Sequence, residues 1–351
     1  MLRNGRYSRR LRRASQPARS LVWLLVIAAV TLWSGLQGSC LAAQKPRPVT
    51  LVAVQMQVQL EDYQSVAAFD SAIQRYMKAA MRTRGDGPRL VAFPEDVGLG
   101  LVFLDDYDLV KDCSSIFEAA SVLMYAYGPE LYDIMTTYEC SPAHALLLLK
   151  GERVRQVYYD TFSKAAREHH VTLVAGSAPL PGPEGTVYST SMVFGPNGKL
   201  IGAQRKVHLI DLEGPIGLDL TPASVDDIHP LATSVGRVGV AICYDMFFSD
   251  VVDKLVSEGS QILVMPSFNN HAWDAWQIDD WKRGIWAAVG AHPSVVAGVN
   301  PMAVGGLWEI AVEGRSSIVG GSFDPPTDGY LAQADSWTEA EIVSAGVDVR
   351  R

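Results

Sequence analysis

From Val49 onward, short apolar runs alternate with longer segments of helical period, and no Pro/Gly/Ser-rich linker or internal repeat interrupts them. This alternation is the strongest constraint on the fold. A buried strand needs both faces covered, so the helices between strands must form outer layers. Residues 51–54 read as a buried strand and 63–81 as a helix, with Val66, Phe69, Ile73, Tyr76, Met77 and Ala80 on one face. Residues 90–93 read as a second strand, stopped by Pro94. Residues 101–170 read as mostly helical, best at 118–127, 131–137 and 154–169, before a strand at 171–175. Two β-runs, 188–194 and 199–204, flank Gly195-Pro196-Asn197-Gly198 and predict a hairpin. Further on, strands are expected at 238–242, 262–265, 295–298, 316–319 and 342–347, with helices at 250–257 and 276–288. The expectation is an α/β chain forming a four-layer αββα sandwich, one domain over residues 44–351 with a helical insertion at about 101–150. A single doubly wound sheet is the alternative.

The first 43 residues differ. Seven arginines (Arg3, Arg6, Arg9, Arg10, Arg12, Arg13 and Arg19) precede an uncharged stretch with an apolar heart at 21–33, and Ala42 and Ala43 offer a cleavage point. That is the layout of a signal peptide. Uncut, the stretch is long enough to act as a membrane anchor, and Cys40 is a weaker candidate for lipidation. The expected location is outside the cytoplasm, secreted or attached to the outer face of the membrane. The segment holds seven of the 30 Lys and Arg and none of the 38 acids, so the remainder carries a formal charge of −15. An acidic surface repels phosphate backbones, which argues against nucleic-acid binding.

Three side chains stand at the ends of apolar strands, where a rigid frame can present them to a cleft. Glu95 follows Phe93-Pro94, and a carboxylate there can act as general base. Taken alone it reads as a solvated acid. Lys206, in Arg205-Lys206-Val207-His208-Leu209 at the hairpin's exit, can stabilise an oxyanion, although basic residues often end strands in water. Cys243 follows Gly239-Val240-Ala241-Ile242; as a thiolate it is a nucleophile, as a buried thiol it is inert. Together the three suffice for acyl transfer. Cys113 and Cys140, 27 residues apart, fit a disulfide and two free thiols equally.

Phe93-Pro94-Glu95, Arg205-Lys206-Val207-His208-Leu209 and Cys243-Tyr244-Asp245 stand in the order and approximate spacing of the nitrilase superfamily of carbon–nitrogen hydrolases, which the chain resembles over residues 48–348. Met265-Pro266-Ser267, Trp281, Asn300 and Gly329-Tyr330-Leu331-Ala332 resemble later landmarks of that family. The resemblance implies an αββα sandwich paired into dimers or larger homo-oligomers. It also implies a Glu-Lys-Cys triad that uses no metal and no organic cofactor. Glu213 sits near where many members carry a second glutamate; a surface acid in its loop is the other reading. Cys-Tyr-Asp followed by Phe248 resembles amidase and carbamoylase branches rather than nitrile-cleaving ones. Ser249, where a proline is common, and Gly290-Ala291, where Glu-Asn is usual, depart from the pattern at positions bearing on substrate binding and subunit contacts.

The expected function is therefore hydrolysis of a small-molecule amide through a thioester on Cys243. Alternatives are an N-acyltransferase with the same triad, a nitrile hydrolase, and a non-catalytic binding protein on this fold. The insertion, with Phe103, Tyr107, Phe117, Tyr125, Tyr127, Tyr132 and Tyr138, reads as a lid or wall over the cleft or as a peripheral unit with its own small core. Trp273, Trp276, Trp281 and Trp286 read as core packing before a stacking surface. His169, His170, His208, His271 and His292 lack metal-ligand spacing, so no metal is assigned.

Overall fold

Alternate residues of the first long strand face different cores. Leu51 and Ala53 belong to one buried cluster and Val52 and Val54 to another; Leu90 and Ala92 divide from Val91 and Phe93 in the same way. A strand buried on both faces is the interior of a layered stack. The computed structural model describes residues 46–321 and 328–350, so the N-terminal signal or anchor segment, with Cys40, lies outside the described residues.

The first sheet has seven strands: β1 (Arg47–Gln55), β3 (Arg89–Ala92), β4 (Thr172–Val174), β5 (Ala178–Pro181), β6 (Val187–Phe194), β7 (Leu200–Arg205) and β16 (Glu341–Val349). Their order is β16-β1-β3-β4-β6-β5, with β7 also paired to β6. β1, β3 and β4 run parallel, and β16 closes antiparallel on β1 along its whole length, Arg47 opposite Val349 and Gln55 opposite Glu341. The second sheet has six strands in the order β15-β14-β11-β10-β9-β8: β8 (Leu231–Thr233), β9 (Gly236–Val240), β10 (Ile262–Val264), β11 (Ala297–Asn300), β14 (Ser317–Gly320) and β15 (Tyr330–Gln333). A small third sheet joins β2 (Gln57–Val58), β12 (Val304–Leu307) and β13 (Ile310–Val312). Two main sheets, not one doubly wound sheet, make up the interior.

Between them lies an apolar layer in which Leu51, Leu90 and Val174 of the first sheet meet Val238, Ile262 and Val299 of the second. Helices α1 (Val66–Met81) and α4 (Pro142–His169) cover the outer face of the first sheet. There Phe162 makes edge contacts with Phe69, Phe93 and Tyr158 at centroid distances of 6.2, 5.2 and 5.1 Å. Each such ring adds about 1.5–3 kcal/mol by burial. On the second sheet, α5 (Ser249–Ser257) packs through Val251 and Leu255, α6 (Ala275–Trp281) through Trp281, and α7 (Ile285–Ala291) through Ile285 and Val289. The layers run α, β, β, α.

The single helix expected at 276–288 is two helices, broken at Gly284 (φ −80°, ψ −123°). A Cβ on Gly284 would lie 3.0 Å from Met265 Cε and 3.3 Å from Phe247, so the chain needs a bare backbone to pass there. In the insertion, α2 (Ile116–Ala126) and α3 (Gly128–Tyr138) send Ala119, Leu123 and Leu131 into the core of the first sheet's outer face, so the segment has no separate core of its own. Side-chain oxygens of Ser65, Ser115 and Ser141 accept amide hydrogens at the starts of α1, α2 and α4, each worth about 1 kcal/mol. Cys113 and Cys140 are free thiols rather than a disulfide.

Candidate active site

Glu95 stands three residues past the end of β3. Phe93, fixed among the outer-layer rings and donating its N–H to Val174 O at 2.9 Å, aims the turn; Pro94 ends the ladder. Lys206 directly follows β7, its N–H on Ser189 O at 2.9 Å. Cys243 lies beyond β9 on a short 3-10 turn, Cys243–Phe247, with its N–H on Pro266 O at 2.9 Å. Its φ is +46°, an unusual conformation for a side chain other than glycine, costing on the order of 1–3 kcal/mol.

The structure brings these strand ends together. Lys206 Nζ donates to Glu95 Oε1 and to Glu213 Oε2, each at 2.7 Å. Phe268 N–H donates to the other oxygen of Glu95 at 3.1 Å, and Ile210 N–H donates to Glu213 Oε2 at 3.0 Å. Glu95, Lys206, Glu213 and Cys243 are 2, 1, 4 and 7 % exposed, so these charges meet with little solvent screening. Glu213 is therefore a buried partner of Lys206 and not a surface acid.

Burial raises the Glu95 carboxyl above its ordinary range, opposed by Lys206. Burial also works against charge on Lys206, but Glu95 and Glu213 overcome it and hold the ammonium well above its usual range. The Cys243 thiol is pushed well up, first by burial and then by the Glu95 charge, while Lys206 and the Phe268 amide pull the other way. A protonated thiol thus rests against a carboxylate that can take its proton, with an ammonium beside both.

Two acids escaped notice in the sequence. Asp96, at φ +56°, donates its N–H to Ser177 Oγ at 2.9 Å. Its carboxyl is raised well above the ordinary range by burial and by the charges of Glu95 and Glu213. The signal was an acid directly after Glu95. Asp245 lies in the motif after Cys243 but had no stated role; it is 1 % exposed. Of the four tryptophans, Trp273 and Trp281 meet edge to face at 5.7 Å, and Trp281 Nε1 donates to Asn300 Oδ1 at 3.0 Å. Trp276, at 69 % exposure, is on the surface rather than in the core. Ser249, where a proline is common, opens α5 at a position a proline would also suit, so this departure leaves the helix intact. Among the described residues no group of His, Cys, Asp and Glu could hold a metal ion, and no helix is long and apolar enough to cross a membrane.

The chain is similar to known proteins over most of its length. Residues 50–350 match the family model described as carbon–nitrogen hydrolase. Omega-amidase NIT2 of Homo sapiens is 28 % identical over 250 residues, covering 70 % of this chain and 84 % of that protein. A carbon–nitrogen hydrolase from Helicobacter pylori shares the fold with a TM-score of 0.58 at 18 % identity, covering 86 % of this chain and 89 % of its own. An amidase from Nesterenkonia sp., solved with the acetamide moiety of fluoroacetamide added covalently at its active site cysteine, has a TM-score of 0.54 at 16 % identity, covering 88 % and 91 %. With the match spanning nearly the whole described chain, the protein belongs to the carbon–nitrogen hydrolase family and is an amidase-like member of the nitrilase superfamily.

Proposed function

We propose that the protein hydrolyses a small-molecule amide through a thioester on Cys243, with Glu95 as base, Lys206 as oxyanion stabiliser and Glu213 as the residue that positions Lys206. The observation that carries this reading is the buried ion cluster in which one ammonium bridges two carboxylates at 2.7 Å beside a strained, protonated thiol. In the acylation step Glu95 takes the Sγ proton as sulfur attacks the carbonyl carbon, and Lys206 receives the developing oxyanion. The C–N bond breaks and the departing nitrogen takes the proton back from Glu95. Glu95 then removes a proton from water, whose oxygen attacks the thioester, and the acid leaves as the thiol reforms. The amidase from Nesterenkonia sp. and the omega-amidase relatives support amides over nitriles as substrates.

The insertion forms a wall of the cleft. Ser141 N–H donates to Asp219 Oδ2 at 3.1 Å, in the loop that carries Glu213, and Ile116 N–H donates to Glu309 Oε2 at 2.8 Å. Replacing residues 101–150 by a short loop therefore changes substrate preference; unchanged preference contradicts the wall. The N-terminal sequence supports export, and the superfamily's habit supports a homodimer or larger homo-oligomer. Turnover assays over aliphatic amides, N-carbamoyl compounds, acyl-amino acids and nitriles test the substrate class. Amides are turned over by the wild type and not by Cys243→Ala; hydrolysis retained in that variant removes the mechanism.

A further inference from the structure

Asp245 has no part in the steps above, yet its carboxylate joins the two sheets at the site. Oδ1 accepts the N–H of Val207 at 3.0 Å and of His208 at 2.7 Å, and Oδ2 accepts Val207 N–H at 3.2 Å. Val207 and His208 immediately follow Lys206 at the exit of the first sheet; Asp245 sits two residues after Cys243 at the exit of the second. The other backbone bonds of Lys206, to Ser189 O and from Ala223 N–H, leave it free of the nucleophile's turn. A second tie lies outside the first: the His208 ring stacks on Phe248 at 3.8 Å, with Nε2 3.0 Å from Asp250 Oδ1.

We propose that Asp245 is a positioning residue for Lys206: as a carboxylate it holds the ammonium in register with the Cys243 sulfur, and on protonation its hold on the Val207 and His208 amides weakens and that register is lost. The inference rests on the amidase reading given above. A carboxylate accepting two backbone N–H groups, one of them shared between its oxygens, is a charge-assisted tie, whereas a carboxylic acid keeps only a neutral carbonyl oxygen for those amides and puts a hydroxyl donor where Oδ2 met Val207 N–H. Burial is the main effect on Asp245 and lifts it to about 7, against the His208 and Val207 amides and the Lys206 charge. The charged groups bearing on it are Lys206 and His208; Asp250, on α5, meets it through His208.

The sign of the pH effect separates this role from a structural one. Because the folded value stands above the ordinary 3.8, ionised Asp245 costs the fold stability. That cost is absent below the unfolded value, grows as pH rises toward about 7 and remains above it. Activity rises across the window in which this contribution to stability falls.

The test compares wild type and Asp245→Asn in the full-length protein, using kcat on a turned-over amide, alkylation of Cys243 by iodoacetamide, and melting temperature. The wild-type kcat falls about tenfold from pH 8 to pH 6, as one ionisation near 7 requires. In Asp245→Asn, kcat at pH 8 is lower by about tenfold and flat over that range, KM changes by no more than about twofold, and the melting temperature at pH 8 is not lowered. Alkylation needs no substrate: displacing Lys206 slows it at pH 8 and removes its step near neutrality. Asp245→Glu, with the charge on a longer stem, keeps the step at lower kcat. If no amide is turned over, the amidase reading fails and alkylation alone decides the role of Asp245. A step that survives in Asp245→Asn, or one absent from the wild type in both readouts, overturns the proposal.

Discussion

Two strand ends build this site, one from each sheet, and they break in similar ways. Residues 90–96 and 238–243 both run out of a buried apolar strand, present a reactive side chain and pass through a residue with positive φ, Asp96 at +56° and Cys243 at +46°. They are held differently. The first is pinned within its own sheet, by Val174 O on the Phe93 amide, Ser177 Oγ on the Asp96 amide and the Phe162 ring behind Phe93. The second is tied across the gap by the Asp245 carboxylate to the residues after Lys206. Neutral groups hold the backbone of the turn that carries the base, and an ionisable group holds the nucleophile's turn to the residues after the cation. The backbone tie at the base end should therefore stay in place across the pH range in which the tie at the nucleophile end responds.

The largest effect comes from removing what the comparison is about. Cys243→Ala lowers turnover by about 10⁴-fold or more, read in a steady-state assay, without loss of fold. Lys206→Ala comes next, because it leaves Glu95 and Glu213 facing each other in a buried site. It costs about 10²–10³-fold in kcat, and urea denaturation shows about 3–5 kcal/mol lost. Phe162→Ala opens a cavity behind the base and costs about 3–5 kcal/mol with a smaller loss of rate. Ser177→Ala removes the acceptor for the Asp96 amide and costs about 1–3 kcal/mol. Its pH profile keeps the wild-type shape, in contrast with Asp245→Asn; a shifted profile in Ser177→Ala would erase the distinction between the two ends.

The sequence showed the long elements because burial on both faces leaves an unbroken apolar record. β1, β3 and the β6–β7 hairpin fall within a few residues of where that record and the Gly195-Pro196-Asn197-Gly198 turn place them. β5 was missed because two of its four residues are prolines, and β2 because two residues carry no period. The break between α6 and α7 depends on Met265 and Phe247 crowding Gly284, a contact invisible to local periodicity. In the site, Glu95, Lys206 and Cys243 could be found because each follows an apolar strand and their three motifs stand in the order of the family the chain resembles. The setting of Asp96 depends on Ser177, 81 residues away, and that of Asp245 on amides 37 and 38 residues away. Such roles exist only once the two sheets have stacked.

The most direct test of the central claim is intact-mass spectrometry of the protein mixed with a turned-over amide and quenched in acid, followed by peptide mapping. The account predicts an added mass equal to the acyl group, confined to the peptide containing Cys243 and absent from Cys243→Ala. Steady turnover with Cys243 unmodified throughout, or an acyl group on another residue, contradicts it.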